Sequence, residues 1–399
     1  MTQTGRLKNP LLLTAAEACA RLDVKRETLY SYVSRHRLRT VKVGRERRYD
    51  AEDIERLAVI SAARRGHGAV AGGALRWGEP VLDSGLTAVA KGRLFYRGRE
   101  VVPWLEEGAR FEDVVAHLWD TEPTPWPSTR TPRVRATATA GAGWPAPLAQ
   151  MARALLDRAE ADGSPHAGSP AREHARGRTL IQALAATLGS GAGPRDHLAA
   201  QVAQRLGDTT TTPLVEAALV LCADHELNVS TFAVRVAASA GADLYGAVGA
   251  GLFAFTGPKH GASTLRIEAL VERGRSRPER AVAARLARGE DLPGFGHPLY
   301  PEGDPRTPPL LELARRHGGR RLRTIDRLIA SVERATDQRP NVDLGLLAVC
   351  RAAGWPAEVG AALFALGRSA GWVAHALEQR RSTALLRPRA RYIGPPPSF

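Results

Sequence analysis

Long Ala-, Leu- and Arg-rich stretches with apolar residues at helical spacing fill most of this chain, TPLVEAALVLCADHEL and AALFALGRSAGWVAHALEQ among them. Apolar residues recurring every three to four positions give a helix one buried face, whereas strands alternate. No series of parallel strands and no repeat of fixed period is present, so the main body is expected to be mostly α-helical. With 399 residues there is length for two or three domains and a sizeable core. The longest apolar run, near Leu244 to Phe255, is cut by glycines and too short to span a bilayer. The opening MTQTGRLKNP has no apolar signal core. Cys19, Cys222 and Cys350 lie far apart without metal-ligand spacing, so reduced thiols and a cytoplasmic, membrane-free protein are expected.

Charge is uneven. The formal net charge is +15, and residues 1–65 hold 15 Lys and Arg against 8 Asp and Glu. A basic end suits nucleic acid, and equally the solvated surface of an Arg-rich protein. In LTAAEACARLDVKRETLYSYVSRHRL, Thr14 followed by Glu17 is a capping box. Ala18, Leu22, Val24 and Leu29 are spaced for two short helices with a turn at residues 22–24. The second helix carries Arg26, Thr28, Tyr30 and Ser31 as outward candidates. RTVKVGRERRYD then reads as a hairpin bearing Arg45, Arg47 and Arg48, and Asp50 caps a further helix, AEDIERLAVI. This is the order of a winged helix-turn-helix. RETLYSYVSR and GRERRYDAEDIERL resemble the MerR/excisionase type of DNA-binding domain. The resemblance implies that the second helix enters the major groove with the wing beside the backbone. Lys25 stands where that family usually has a capping Ser. A helical protein-interaction module is the competing reading. RRGHGAVAGGA, residues 64–74, is a Gly/Ala-rich linker, and a boundary is expected near residue 67.

Beyond the linker, KGRLFYRG reads as a short hairpin. Residues 121–143, rich in Pro, Thr and Ala, read as loop, and 161–178 as another breaker-rich stretch.

Four short stretches break the helical pattern: DHELNVST with His225, GPKHGAS with His260, GFGHPLYPEGDPR with His297 and Arg306, and RPNVD with Asp343. Each sets a polar residue beside Gly, Pro or Asn, as at helix ends and tight turns where scaffolds present reactive groups. Arg368 and Arg387 follow downstream. The histidines are 35 and 37 residues apart with no HxH or HxxxH pair, which argues against a metal. A hydrolase wants a GxSxG nucleophile elbow at a strand-to-helix turn, whereas the GRSAG of this chain lies within the helical run AALFALGRSAGWVAHALEQ. A carboxylate base with histidine hydrogen-bond donors, and arginines clamping a substrate with several carboxylates, uses every member of the set. Spacing alone leaves the choice open.

The residues themselves go further. The run from DHELNVST to GPKHGAS, GFGHPLYPEGDPR, RPNVD, the GRS of ALGRSAGWVAH and RPRARYIG resemble the citrate synthase family, in its order and over roughly residues 75 to 395. KGRLFYRGRE followed by FEDVVAHLW is similar to that family's N-terminal region. The resemblance implies a mainly α-helical homodimer with a cleft between two domains. The large domain is expected over 67–258 and 346–399 and the small one over 259–345, behind a winged domain at 1–66. Acetyl-CoA and oxaloacetate are the implied substrates, with acyl-CoA a co-substrate, no permanently bound cofactor and no metal. Asp343 resembles the base, His260 the residue that stabilises the enol, and His297 the residue on the oxaloacetate carbonyl. His225, Arg306 and Arg368 resemble carboxylate binders, and Arg387 the arginine given by the partner subunit. Gly294, Phe295 and Gly296 resemble the loop that cradles CoA.

Three positions depart from the family pattern. Pro298 replaces a basic residue, Leu344-Gly345-Leu346 replace an aromatic and Ser-Gly, and Ser263 stands where Asn is frequent. The second departure reshapes the acyl pocket, which leaves propionyl-CoA and 2-methylcitrate as an alternative. The other alternative is a DNA-binding transcription regulator whose synthase-like body senses oxaloacetate or acyl-CoA.

Overall fold

The structure, a computed structural model, describes residues 12–22, 24–34, 38, 40–43, 46–51, 53–54, 82–124, 126, 146–163, 168–189, 197–261, 263–382, 384–388 and 394–395. The chain divides into two compact units, residues 1–83 with 285–291, and residues 84–284 with 292–399.

The first unit runs β1 (Leu12–Leu13), α1 (Ala15–Leu22), α2 (Arg26–Ser34), β2 (Thr40–Val43) and β3 (Glu46–Asp50). The capping box forms: Thr14 N–H donates to Glu17 Oε2 at 2.9 Å and Glu17 N–H to Thr14 Oγ1 at 3.2 Å. At the head of α2 the Lys25 carbonyl accepts from the Thr28 and Leu29 N–H groups. β2 and β3 pair antiparallel with Val41 opposite Arg48. The hairpin reading omitted β1, which joins the other edge of β3 with Leu13 opposite Tyr49. Ala18, Leu22, Leu29, Leu38, Tyr49 and Ile54 make the small core. Asp50 Oδ1 accepts the Asp53 N–H at 3.1 Å, and Ala51, Asp53 and Ile54 are helical. The rest of that expected helix, Arg45 and the linker lie outside the described residues.

The second unit opens with an antiparallel sheet, β4 (Thr87–Ala90), β5 (Arg93–Tyr96) and β6 (Arg99–Glu100). KGRLFYRG, expected as one hairpin, is instead the middle strand with both of its turns. Lys91-Gly92 and Arg97-Gly98 have positive φ at both positions, the two-residue turn that matches strand twist.

Helices follow: α3 (Val101–Glu106), α4 (Phe111–Trp119), α5 (Ala146–Asp162), α6 (Pro170–Ala186), α7 (Leu198–Arg205), α8 (Thr212–Cys222), α9 (Val229–Ser239) and α10 (Leu244–Phe255). Then come α11 (Ser263–Arg273), α12 (Pro278–Ala287), α13 (Thr307–Gly318), α14 (Arg323–Ala335), α15 (Val342–Ala353) and α16 (Glu358–Arg380). The breaker-rich stretch is a loop only in part, because α6 begins at Pro170. Ser169 Oγ accepts the Arg172 N–H at 3.4 Å, and proline in the first turn lacks only an N–H that would be unbonded there. Residues 127–145, most of the other expected loop, lie outside the described residues.

α16 is the central element, buried along nearly its whole length and packed on α8, α9 and α10. Its GRSAGW segment lies hard against the end of α8. A Cβ at Gly371 would stand 2.3 Å from Asp224 Oδ1 and 2.6 Å from the Ala223 carbonyl oxygen. That approach lets the Gly371 N–H donate to Ala223 O at 3.0 Å and sets Arg368 beside the His225 segment. Among the described residues no helix is long and apolar enough to cross a membrane.

Candidate active site

The expected residues sit where helices break. His225 follows α8, His260 lies between α10 and α11, and His297 between α12 and α13. Arg306 is the N-cap of α13, and Asp343 is in the first turn of α15. Arg368 alone is mid-helix, on α16.

Two of these breaks are one hydrogen-bonded piece. Gly294 and Gly296, at φ 88° and 74°, turn their loop back along residues 339–341. Asn341 N–H donates to Gly294 O at 2.9 Å, Gly296 N–H to Arg339 O at 2.8 Å, and Asn341 Nδ2 to Gly296 O at 3.1 Å. Asn341 Oδ1 in turn accepts the Asp343 N–H at 3.2 Å. The loop of His297 and the helix of Asp343 therefore hold a fixed relation. Phe295 is buried and bridges to Pro340, so this loop offers a ligand backbone rather than that ring.

His225 Nε2 meets Tyr300 Oη at 2.9 Å, and the His297 ring stands edge-on to His225 with centroids 5.2 Å apart. Burial, then the charge of Arg306, pushes His225 well below the usual imidazole value and His297 down to about 4. His260 Nε2 lies 2.9 Å from Ser230 Oγ. That hydroxyl also accepts the Trp372 Nε1–H at 3.1 Å and donates to Asn228 Oδ1 at 2.7 Å. Burial, with Arg368 second, takes His260 down to about 3. All three imidazoles are neutral near pH 7.

Arg368 is 1% exposed. It donates Nε–H to Cys222 O at 3.0 Å and lies over the Phe364 ring, yet no carboxylate among the described residues forms an ion pair with it. Arg306 is equally buried but bound to Asp304. Asp343 Oδ1 is buried without a hydrogen bond, and Ser263 Oγ beside it completes none either. Burial therefore prevails over the weak pull of that hydroxyl and of Arg306, and Asp343 is raised to about 6. A buried arginine without a direct ion pair among the described residues, neutral imidazoles and a poised carboxylate can hold an anion and move a proton.

Sequence reasoning passed over Tyr300, Asp304, Ser230 and Trp372, although all four lie inside the quoted motifs; polar type at a helix break was the available signal for the first three. Arg387 is exposed beyond α16. On α2, Arg26, Thr28 and Tyr30 are exposed, as is Arg47 on β3, whereas Arg48 is half-buried and paired with Glu46 at 3.0 Å. A separate cluster, Glu112, His197 and Glu216, has its ligand atoms within 4.8 Å of one another. Its carboxylates accept helix N-terminal N–H groups, Leu198 N–H on Glu112 and Phe111 N–H on Glu216, both at 2.6 Å.

Residues 74–389 match the family "Citrate synthase, C-terminal domain", and residues 12–58 match "Helix-turn-helix domain". Citrate synthase 2 of Bacillus subtilis is 36% identical over 185 residues, 45% of this chain and 50% of that protein. A 2-methylcitrate synthase of Mycobacterium tuberculosis is 32% identical over 194 residues, 47% and 49% of the two chains. The chain thus spans about half the length of the curated relatives it matches. The structure of citrate synthase from Thermoplasma acidophilum, in a ternary complex with carboxymethyl coenzyme A and oxaloacetate, superposes with a TM-score of 0.69 at 23% identity. That match covers 80% of this chain and 95% of the other, and shows a shared fold.

Proposed function

This chain belongs to the citrate synthase family, and from that premise we propose that it condenses acetyl-CoA with oxaloacetate to give citrate and CoA. The observation that carries the reading is Asp343, a buried carboxylate with an unbonded oxygen and a pKa raised to about 6, within the charge field of Arg306 and Arg368. Its ionised form takes a proton from the acyl methyl. For neutral His260 to donate a hydrogen bond to the thioester oxygen, where enol charge develops, the Ser230 hydroxyl turns from Asn228 Oδ1 to His260 Nε2 and leaves the ring proton on Nδ1. The acyl α-carbon bonds to the ketone carbon of oxaloacetate, and the ketone oxygen takes a proton from His297. Oxaloacetate brings two carboxylates beside His297, which raises its pKa toward a useful acid. Water then adds to the thioester carbonyl and the CoA thiolate leaves, taking up a proton.

Arg368 and Arg306, with His225, bind the oxaloacetate carboxylates, and the Gly294–Gly296 backbone meets CoA. A homodimer supplies Arg387 across its interface. A small domain, 259–345, closes on a large one, 67–258 with 346–399. The enzyme works in the cytoplasm, where its three cysteines stay reduced.

Thiol release from acetyl-CoA with oxaloacetate, run beside propionyl-CoA, tests the proposal. Oxaloacetate-dependent release that is lost in Asp343→Asn is expected, with acetyl-CoA preferred. Preference for propionyl-CoA makes the product 2-methylcitrate. No release with either, from protein that still binds oxaloacetate, leaves the second reading, a DNA-binding sensor. That reading draws on the helix-turn-helix at 12–58 and its exposed Arg26, Thr28 and Tyr30.

A further inference from the structure

We infer that Asp224 and His375 are a positioning pair for the keto-acid subsite, acting through Arg368 and His225 without touching substrate. The inference rests on the synthase reading above. Asp224 immediately precedes His225, and both Asp224 and His375 are wholly buried. His375 Nε2 lies 3.1 Å from Asp224 Oδ2, while Arg235 Nε–H donates to His375 Nδ1 at 3.1 Å. Arginine only donates, so Nδ1 accepts and the ring proton sits on Nε2, aimed at Asp224. Arg235 is anchored in turn by Gln379 at 3.1 Å and by Glu378, whose other oxygen takes the Gly85 N–H at 2.8 Å. Thr87 Oγ1 donates to the same Asp224 Oδ2 at 2.5 Å.

The whole His225 segment is pinned from outside. Cys222 O accepts from Arg368, Ala223 O from Gly371 N–H, and Glu226 Oε1 from Val89 N–H. The Asp224 N–H donates to Tyr96 Oη at 3.2 Å. Burial would raise Asp224, but the His375 ring, Arg368 and the Thr87 hydroxyl hold it below the usual carboxylate range, so it is ionised. Its charge supports the buried Arg368 cation. It nevertheless makes no hydrogen bond to that guanidinium: Oδ2 is taken by His375 and Thr87, and Oδ1, buried under Gly371, has no hydrogen-bond partner. Arg368 thus keeps its charge in a dry site and keeps its remaining N–H donors for a ligand carboxylate. Without the His375 donor, only the Thr87 hydroxyl holds the Asp224 carboxylate, which can then turn onto Arg368 and occupy those donors.

Oxaloacetate affinity by calorimetry, with kcat and KM for each substrate and a thermal melt, would be compared for the parent, His375→Leu, His375→Gln and Asp224→Asn. His375→Leu is expected to weaken oxaloacetate binding, and to raise its KM, by about tenfold or more, the scale of one hydrogen bond to a charge. The KM for acetyl-CoA stays within about twofold. His375→Gln, which keeps an N–H donor, recovers most of the loss. Folded His375→Leu binding oxaloacetate as tightly as the parent overturns the inference, as does His375→Gln no better than His375→Leu. Should His375→Leu fail to fold, Asp224→Asn decides: weakened oxaloacetate binding supports the pair, and parental affinity overturns it. A parent that binds no oxaloacetate sinks the synthase reading itself, a result distinct from any of these.

Discussion

Asp304 holds Arg306 with both of its oxygens, at 2.9 Å to Nε and 2.7 Å to Nη2, and both side chains are almost wholly buried. The same carboxylate accepts the Val342 N–H at 3.1 Å, at the head of the helix that carries Asp343. One buried group therefore spans the proposed carboxylate-binding arginine and the helix of the proposed base. Burial would raise Asp304, yet Arg306 keeps it below the usual carboxylate range. Removing one charge strands the other. Asp304→Asn is expected to destabilise the fold by ~3–5 kcal/mol, read as a fall in the denaturant midpoint at constant slope. A loss under ~1 kcal/mol would mean that Arg306 does not depend on this partner.

Asp343 carries the opposite signature, a carboxyl raised above its ordinary value of 3.8 to about 6. Because the folded state binds this proton more tightly than the unfolded state, the group costs stability as pH rises from about 4 to about 6. Above that window the penalty is full, of the order of ~3 kcal/mol; below it, none remains. Asp343→Asn should therefore raise the melting temperature at pH 7.5 and leave it nearly unchanged at pH 4, while turnover is lost. In the parent, kcat/KM should climb as pH rises through about 6, the form of a base that must be ionised. An equal melting shift at both pH values would show that the charge is not what strains the fold.

Much of this site was legible because its residues sit at breaks in helical pattern, where Gly, Pro and Asn advertise a turn. His225, His260, His297 and Asp343 all lie at such breaks. What local pattern does not encode is which breaks meet. Asp304 reaches α15 across 38 residues of chain and Trp372 reaches Ser230 across 142. The same limit explains the strand errors. β1 is two leucines with no alternation to display, and it exists because β3 offers an edge. KGRLFYRG looked like a hairpin because it holds two turns, one at each end of a single strand. The helix at Pro170 was masked by its own proline, which is tolerated in a first turn.

The N-terminal unit makes a claim separable from catalysis. Arg26 and Tyr30 on α2 are exposed, while Leu29 between them is buried in that unit's core. If α2 docks on DNA, binding should weaken steeply with salt, and Arg26→Ala should lower the salt slope by about 1. Leu29→Ala would instead unfold the unit and abolish binding altogether. A mobility-shift titration showing no complex at low salt would end the DNA-binding reading and leave the synthase reading standing.

Gly371 offers a test of the packing on which the site depends. A methyl group there would fall 2.3 Å from Asp224 Oδ1 and 2.6 Å from the Ala223 carbonyl oxygen, and backbone cannot yield as a flexible side chain does. Gly371→Ala must therefore push α16 away from the His225 segment and stretch the bond from its own N–H to Ala223 O. A loss of at least ~1–3 kcal/mol is expected, together with weaker oxaloacetate binding, since Arg368 and Asp224 are displaced by the same movement. Gly319→Ala is the control. Its φ is −51° and nothing lies within 4 Å of the added carbon, so stability should hold or rise by ~0.4–1 kcal/mol. Equal melting temperatures for the two variants would show that α16 and α8 are not in the close contact described.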